Sequence, residues 1–367
     1  MRGIKIAVLS ALIALLSGCQ IFWGADPATS PEGILKSLWK DFDEMHAYLD
    51  IRMSNNKKFK SWDDVLNNEE TGYIKELSKG LSLFEACGGM LDELGDPHVI
   101  LYAPASNFYG FNTDSDLIKE GVWFRRNDIR NYYLNERGIL SSDSGGFFLY
   151  GTFESFPSIG YIHISSFSNT GAETGFPNWV KQIDGIIQSL AHTDAIVLDI
   201  RANSGGLLIA AEYIAARFVS VPKDYIKICV KNGTGRNDFS PARTFSVKPA
   251  GTTYTKYIAL LTNKTTVSAA EYFTMALRTQ SHVKHMGTAT RGAFSSRYTR
   301  SMINGWHYTI SSDKVIDMDD NCYEGVGIRP TAEFLLSGEW DEWEEKKDCP
   351  DRQLNLAIDK IIDQLSL

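Results

Sequence analysis

The strongest pattern along the chain is the apolar run Tyr257–Thr262, followed by a short polar turn and by helical spacing from Ser268 onward. It predicts a buried strand, a turn and a helix reaching Thr279. The same alternation recurs upstream. Ile159–Ile164, Asp194–Ile200 and Tyr225–Val230 read as strands, and Trp179–Leu190 and Leu207–Val219 as helices. Strands alternating with helices of these lengths imply an α/β core with a mixed, partly parallel sheet and flanking helices over residues 158–367. Ser30-Pro31-Glu32 is a helix start, and Ile34, Leu35, Leu38, Trp39, Phe42 and Met45 carry that helix to about Leu49. Trp62–Leu66 and Ile74–Leu94 continue an N-terminal helical segment, residues 31–98, that ends at Gly95-Asp96-Pro97-His98. Residues 99–157 are turn-rich, with β-like runs near Gly121–Arg125 and Gly146–Phe153, and are expected to form a small β-rich cap or insertion. Asn304-Gly305 between apolar flanks predicts a hairpin. Leu354, Ile358, Ile361, Ile362 and Leu365 place an amphipathic helix at the C-terminus.

The first residues follow another logic. Arg2 and Lys5 precede an apolar stretch, Ile6–Leu16, that is too short to span a bilayer. It closes on Leu16-Ser17-Gly18-Cys19, which resembles the lipobox of bacterial lipoproteins. The resemblance implies a signal peptide over 1–18, lipidation of Cys19 and a tether over 19–30. The mature protein is then expected to be lipid-anchored to a membrane of the bacterial cell envelope, facing the periplasm. An ordinary secretory signal is the alternative.

Composition narrows the classes. The chain has 45 acidic and 37 basic residues and no long basic run, which argues against nucleic acid as the main partner. Apart from Cys19, the cysteines are Cys87, Cys229, Cys322 and Cys349; their scatter sets no framework, and Cys322–Cys349 is the pairing to test first. Seven histidines without CxxC or HExxH predict no metal site and no cofactor.

Ser268 has two readings. Ser268-Ala269-Ala270-Glu271 fits a capping box, which needs no catalysis. A serine at a helix N-terminus also sits where backbone N–H groups and the helix dipole favour negative charge, a good place for a nucleophile. Upstream, the strand Ala195–Ile200 runs into Arg201-Ala202-Asn203-Ser204-Gly205-Gly206, where glycines permit close approach of backbone N–H groups to a ligand.

Four ordered pieces carry a family resemblance: Asp199-x-Arg201-x-Asn203-x-Gly205-Gly206, Ser268-Ala269-Ala270-Glu271, Gly287-x-x-Thr290-x-Gly292, and Glu324-Gly325-Val326-Gly327-Ile328-x-Pro330. Together they resemble the tail-specific (C-terminal-processing) serine peptidases, and the resemblance implies their crotonase-like fold. One branch pairs serine with a lysine after the Gly-x-x-Thr-x-Gly segment; here that place holds Ala293. The other, similar to the tricorn core protease, uses Ser, His and Glu. Its positions match Ser268, His98 and Glu324. The resemblance implies Ser268 as nucleophile, His98 as general base and Glu324 as the acid that orients the imidazole. Ala269 with Gly205 or Gly206 would supply the oxyanion hole. Asp199 and Arg201 read as structural bracing, and His163 as a buried strand histidine. Residues 99–157 are short for the peptide-binding PDZ domain common in the family. The expected activity is that of a serine endopeptidase acting through an acyl-enzyme on unfolded or extended polypeptides. The alternatives are a non-catalytic ligand- or peptide-binding lipoprotein on the same fold and a structural lipoprotein.

Overall fold

The computed structural model describes residues 27–103, 109–110, 126–135, 146–168, 176–335 and 351–366. The chain forms two compact units. One takes in Met1–Phe111, Gly233–Asn237 and Arg297–Ser311; the other takes in Asn112–Asn232, Asp238–Ser296 and Ser312–Leu367.

The first unit is helical with a small sheet. Its helices are α1 (Pro31–Met45), α2 (Leu49–Ser54), α3 (Trp62–Asn67), α4 (Tyr73–Ser78) and α5 (Leu83–Asp92). Ser30 caps α1 by accepting the Gly33 N–H at 3.0 Å, with Pro31 in the first turn. The helix expected over Ile74–Leu94 is two. Gly80 takes φ +104°, which few L-residues adopt, and Ser82 with Glu85 then closes a capping box that starts α5. The first helix stops at Met45, and α2 is a separate short helix that the spacing did not separate. Strands β1 (Ile100–Tyr102), β2 (Tyr109–Gly110), β10 (Arg297–Ser301) and β11 (His307–Ser311), numbered along the chain, form an antiparallel sheet in the order β10-β11-β1-β2. The Asn304-Gly305 hairpin is present, closed by the Met302 N–H donating to the Trp306 carbonyl at 2.8 Å with Gly305 at φ +81°. Leu35, Leu38, Phe42, Trp62, Met90 and Tyr308 fill the core. Trp39 and Trp62 each donate an indole N–H to the other's carbonyl, at 2.9 and 3.0 Å, so neither buried donor is left unpaired.

The second unit holds the α/β core. Its main sheet has the order β3-β4-β5-β8-β9, from β3 (Phe148–Thr152), β4 (Ile159–Ile164), β5 (Ala195–Asp199), β8 (Tyr257–Thr262) and β9 (Val283–Gly287). The last four are parallel, and β3 pairs antiparallel with β4. The mixed, partly parallel sheet expected from the sequence is therefore present. A parallel sheet is covered on both faces, so its strands are apolar throughout. Successive side chains on β5 point to opposite faces. Ile196 and Leu198 join the core under α8 (Leu208–Ala215) and α9 (Ala269–Arg278); Ala195 and Val197 join that under α10 (Arg352–Leu365). Helix α6 (Arg126–Tyr132) and α7 (Gln182–Ser189) complete the unit, with a second antiparallel sheet, β12-β6-β7, of Asp313–Ile316, Lys223–Val230 and Arg243–Val247. Residues 99–157 do not stay together: β1 and β2 belong to the first unit's sheet, whereas β3 edges the main sheet of the second. A strand joins whichever sheet completes its hydrogen bonds, and the two edges that receive these strands lie far apart in sequence.

Several expectations fall on residues outside those described: Cys19 with the signal segment, Gly121–Arg125, and Cys349, hence the Cys322–Cys349 pairing. Cys87 and Cys229 are not in disulfides. Among the described residues no helix is long and apolar enough to cross a membrane.

One buried histidine sets an acid limit on the second unit. On β9, His285 Nε2 lies 2.7 Å from Thr262 Oγ1, whose single hydrogen is donated to the Thr288 carbonyl at 2.8 Å. The ring must therefore donate from Nε2, leaving Nδ1 bare and without a hydrogen-bond partner. Burial, aided by the Arg278 charge, pushes its pKa down from 6.5 to about 3. The folded state holds this ring neutral while the unfolded chain protonates it, so stability is fully present above about 6.5 and is lost progressively toward pH 3. Urea midpoints of the parent and of His285→Met, measured between pH 7 and 4, should show a shallower decline in the variant. Equal declines would remove His285 as the cause.

Candidate active site

The site is built where three loops leave the C-terminal ends of β5, β8 and β9. The β8 loop bends back through Thr266, whose hydroxyl donates to the Ile200 carbonyl at 2.9 Å, and Val267, whose N–H donates to the Asn203 carbonyl at 3.1 Å. Asn263 Oδ1 accepts the Ala202 N–H at 3.1 Å. The β9 loop is held by the Arg291 N–H donating to the Thr266 carbonyl at 2.9 Å. Three loops are thus cross-linked mainly through backbone groups, which leaves side chains at their tips for other work.

Ser268 begins α9 with φ +61° and ψ −125°, outside the extended region an ordinary N-cap occupies. The capping box is closed around it in an altered form. Glu271 Oε2 accepts the Ser268 N–H at 3.0 Å, and the Glu271 N–H reaches the Ser268 carbonyl at 2.7 Å, with no cap bond from the serine hydroxyl. The cap and a strained serine backbone therefore coexist in this segment. The glutamate steadies the helix start, and the half-buried serine is held in a strained turn.

Glu271 does more than cap, and the sequence signal for that was weak. Fully buried, its carboxylate also accepts the Thr290 hydroxyl at 2.6 Å, the Gly292 N–H at 2.7 Å and the Ala293 N–H at 2.9 Å. Burial holds its carboxyl above the usual range despite those donors. Ala293, at the place of the family lysine, is itself buried and contributes only its N–H to Glu271. The next residue, Phe294, donates its N–H to Glu324 Oε2 at 2.8 Å. Gly292 packs against the turn after Glu324: a Cβ there would meet Gly327 N at 2.6 Å and Val326 N at 2.8 Å. Ser268 and Glu324 are thereby joined through one loop, residues 290–294, of which Glu271 holds one side and Glu324 the other.

Gly205 lies against Ser268, since a Cβ on it would come 2.8 Å from Ser268 Cβ and 3.0 Å from Ala269 N. Gly206 is equally crowded, 2.3 Å from the Phe167 carbonyl carbon by the same construction, so both positions require glycine. The Gly205 N–H donates to Asn203 Oδ1 at 2.9 Å and is thereby committed. Among the described residues neither the Ala269 N–H nor the Gly206 N–H has an acceptor.

The bracing residues behave as expected. Arg201 donates to both oxygens of Asp199 and of Asp351, the N-cap of α10, at 2.7–3.1 Å. Burial opposes the charge of Asp199, yet the Arg201 guanidinium holds its carboxyl below the ordinary range. His163 is buried on β4, with Nε2 3.4 Å from the Arg201 carbonyl. His98 belongs to the first unit, between α5 and β1, and is buried with Asp96. Among the described residues no group of His, Cys, Asp and Glu is arranged to hold a metal ion.

Residues 158–334 match the sequence profile described as peptidase family S41. That stretch carries Ser268, Gly205, Gly206 and Glu324 in their observed places. Over that stretch, a little under half of the chain, the protein is similar to peptidase family S41. Among its relatives, the carboxy-terminal processing protease CtpB of Bacillus subtilis is 28% identical over 174 residues, covering 47% of this chain and 33% of that one. A CtpA-like serine protease of Staphylococcus aureus, named as a probable one, is 30% identical over 176 residues, covering 47% of this chain and 32% of its own. The chain spans about a third of the length of these curated relatives. Among solved structures, a candidate peptidase of Parabacteroides merdae superposes with TM-score 0.71 at 23% identity, covering 91% of this chain and 97% of that one. Mature CPAF in complex with lactacystin gives 0.64 at 11%, covering 92% and 98%. At these identities the structures show the shared fold.

The Ser268 backbone supplies a stability test. A non-glycine residue at such a φ costs on the order of 1–3 kcal/mol, which glycine relieves apart from its own entropy loss. Ser268→Gly should therefore raise the thermal midpoint by a few degrees. A lowered midpoint would mean that the turn carries no strain.

Proposed function

We propose that the protein is a serine endopeptidase that cleaves extended or unfolded polypeptides, with Ser268 as nucleophile, His98 as general base and Glu324 as orienting carboxylate. The observation that carries this reading is the strained Ser268 turn at the head of α9, next to Gly205, with the Ala269 and Gly206 N–H groups lacking an acceptor among the described residues. In attack, neutral His98 takes the serine proton, and Glu324 favours the resulting imidazolium. The carbonyl oxygen gains negative charge and is received by the N–H groups of Ala269 and Gly206. Of the two glycines considered for this role, Gly206 is preferred, because the Gly205 N–H already serves Asn203. Collapse expels the amine, which receives from the His98 imidazolium the proton that Ser268 gave up; water, deprotonated by His98 in turn, then attacks the acyl-Ser268 ester, and the proton returns to the Ser268 oxygen as the acid leaves. Ala293 has no proton to exchange, which supports histidine over lysine as the base.

The lipobox-like Leu16-Ser17-Gly18-Cys19 supports an exported protein lipidated at Cys19 and held on the bacterial cell envelope, whose substrates are then exported or envelope polypeptides.

The test is labelling of the soluble mature form, begun after Cys19, with a fluorophosphonate probe, alongside digestion of an unstructured protein. Wild type should label and cleave. Ser268→Ala should do neither, and His98→Ala should slow both by about 10²-fold or more. Labelling that survives Ser268→Ala would overturn the nucleophile. A folded wild type that neither labels nor cleaves would favour a binding protein.

A further inference from the structure

We propose that Asp96 is a positioning residue for His98, fixing the turn that carries the imidazole and supplying the negative charge that favours its protonated form; this rests on the reading of His98 as the base. Asp96 Oδ1 accepts the His98 N–H at 2.9 Å across Pro97, an Asx turn in which proline offers no competing donor. The other side of His98 is clamped too. Thr309 Oγ1 donates to its carbonyl at 2.6 Å and accepts the Ile100 N–H at 3.0 Å. The backbone of the histidine is therefore held at both ends, with Asp96 providing one of them.

Holding the turn does not require a charge. An asparagine oxygen would accept the same N–H, whereas an ionised carboxylate with its side chain fully buried costs several kcal/mol of lost hydration. The surroundings nonetheless keep it ionised. Oδ2 accepts His46 Nε2–H at 3.0 Å and Ser311 Oγ–H at 2.7 Å. His46 is the neutral donor in that pair, because its Nδ1 accepts the Tyr48 N–H at 3.3 Å. The Arg52 guanidinium stands 3.7 Å from Oδ1 and donates a hydrogen bond to the Gly95 carbonyl at 2.8 Å. Burial works against the charge, but Arg52, the His46 hydrogen bond and the field of His98 together hold the Asp96 carboxyl well below its usual range. The charged and titratable groups facing it are thus Arg52, His46 and His98. Of these, His98 is the one whose proton the reaction moves, so the anion stabilises the imidazolium that forms when serine gives up its proton.

The experiment follows the His98 imidazole by NMR through a pH titration, together with the pH dependence of fluorophosphonate labelling, in wild type, Asp96→Asn and Arg52→Met. Asp96→Asn keeps an acceptor for the His98 N–H but removes the charge. Its His98 titration and the acid limb of labelling should both move to lower pH, with a plateau rate about tenfold below wild type. Arg52→Met removes the opposing cation and should move both to higher pH. A folded Asp96→Asn protein with an unmoved His98 titration would overturn the proposal. If Asp96→Asn does not fold, Arg52→Met decides, and an unmoved or lowered midpoint overturns it. A wild type that does not label removes the peptidase reading alone, since the opposite NMR shifts still report whether Asp96 governs the protonation of His98.

Discussion

The Glu271 carboxylate is the group on which the second unit's site depends. With its side chain sealed from water, it gathers the N–H of Ser268 from one loop and the Thr290 hydroxyl and the N–H groups of Gly292 and Ala293 from another. Each of those donors would be left without an acceptor if the carboxylate were lost, and unsatisfied buried groups are costly. The strain at Ser268 is tolerated because Glu271 over-determines it. The same loop then presents the Phe294 N–H that holds Glu324. One buried acid thus sets the positions of two side chains more than fifty residues apart in sequence.

The parallel sheet makes this possible. Strands β5, β8 and β9 run in the same direction, so the loops that follow them emerge at the same edge. Short parallel strands covered by helices on both faces give a rigid base, and irregular backbone is confined to the edge where it has a use. Glycine appears there for two separate reasons. Gly205 and Gly206 take positive φ values, and both also stand where a methyl group would collide with neighbouring backbone. Buried carboxylates recur as organisers: Asp199 with Arg201 at the end of β5, Glu271 in the loops, and Asp96 in the helical unit.

Much of this was legible in the sequence. The strands β4, β5 and β8 follow from unbroken apolar runs, and α9 from helical spacing after Ser268, because burial on both faces writes itself into local composition. The capping signals of Ser30 and of Ser268-x-x-Glu271 were equally local. The helix over Ile74–Leu94 was read as one, since Gly80 and Ser82 interrupt it through backbone φ and a cap, which apolar periodicity does not record. The division of residues 99–157 between two sheets was not legible, because strand partners are chosen by hydrogen-bond completion across the whole chain.

By itself, then, the sequence determined which segments are strands and helices, the order of the motifs and the candidacy of Ser268, His98, Glu324 and the glycine pair. The elements are properties of local pattern, and the candidacy of those site residues is what the resemblance carried by the ordered motifs implies. Only the tertiary structure decided which atoms are free to act. It committed the Gly205 N–H to Asn203, left the Gly206 and Ala269 N–H groups without acceptors among the described residues, made Glu271 the anchor of two loops and gave the His98 N–H to Asp96. For Glu271 the partners meet only once distant loops converge; for Gly205 with Asn203 and His98 with Asp96 the partners are near neighbours in sequence, and what the structure decides is the turn that brings them together.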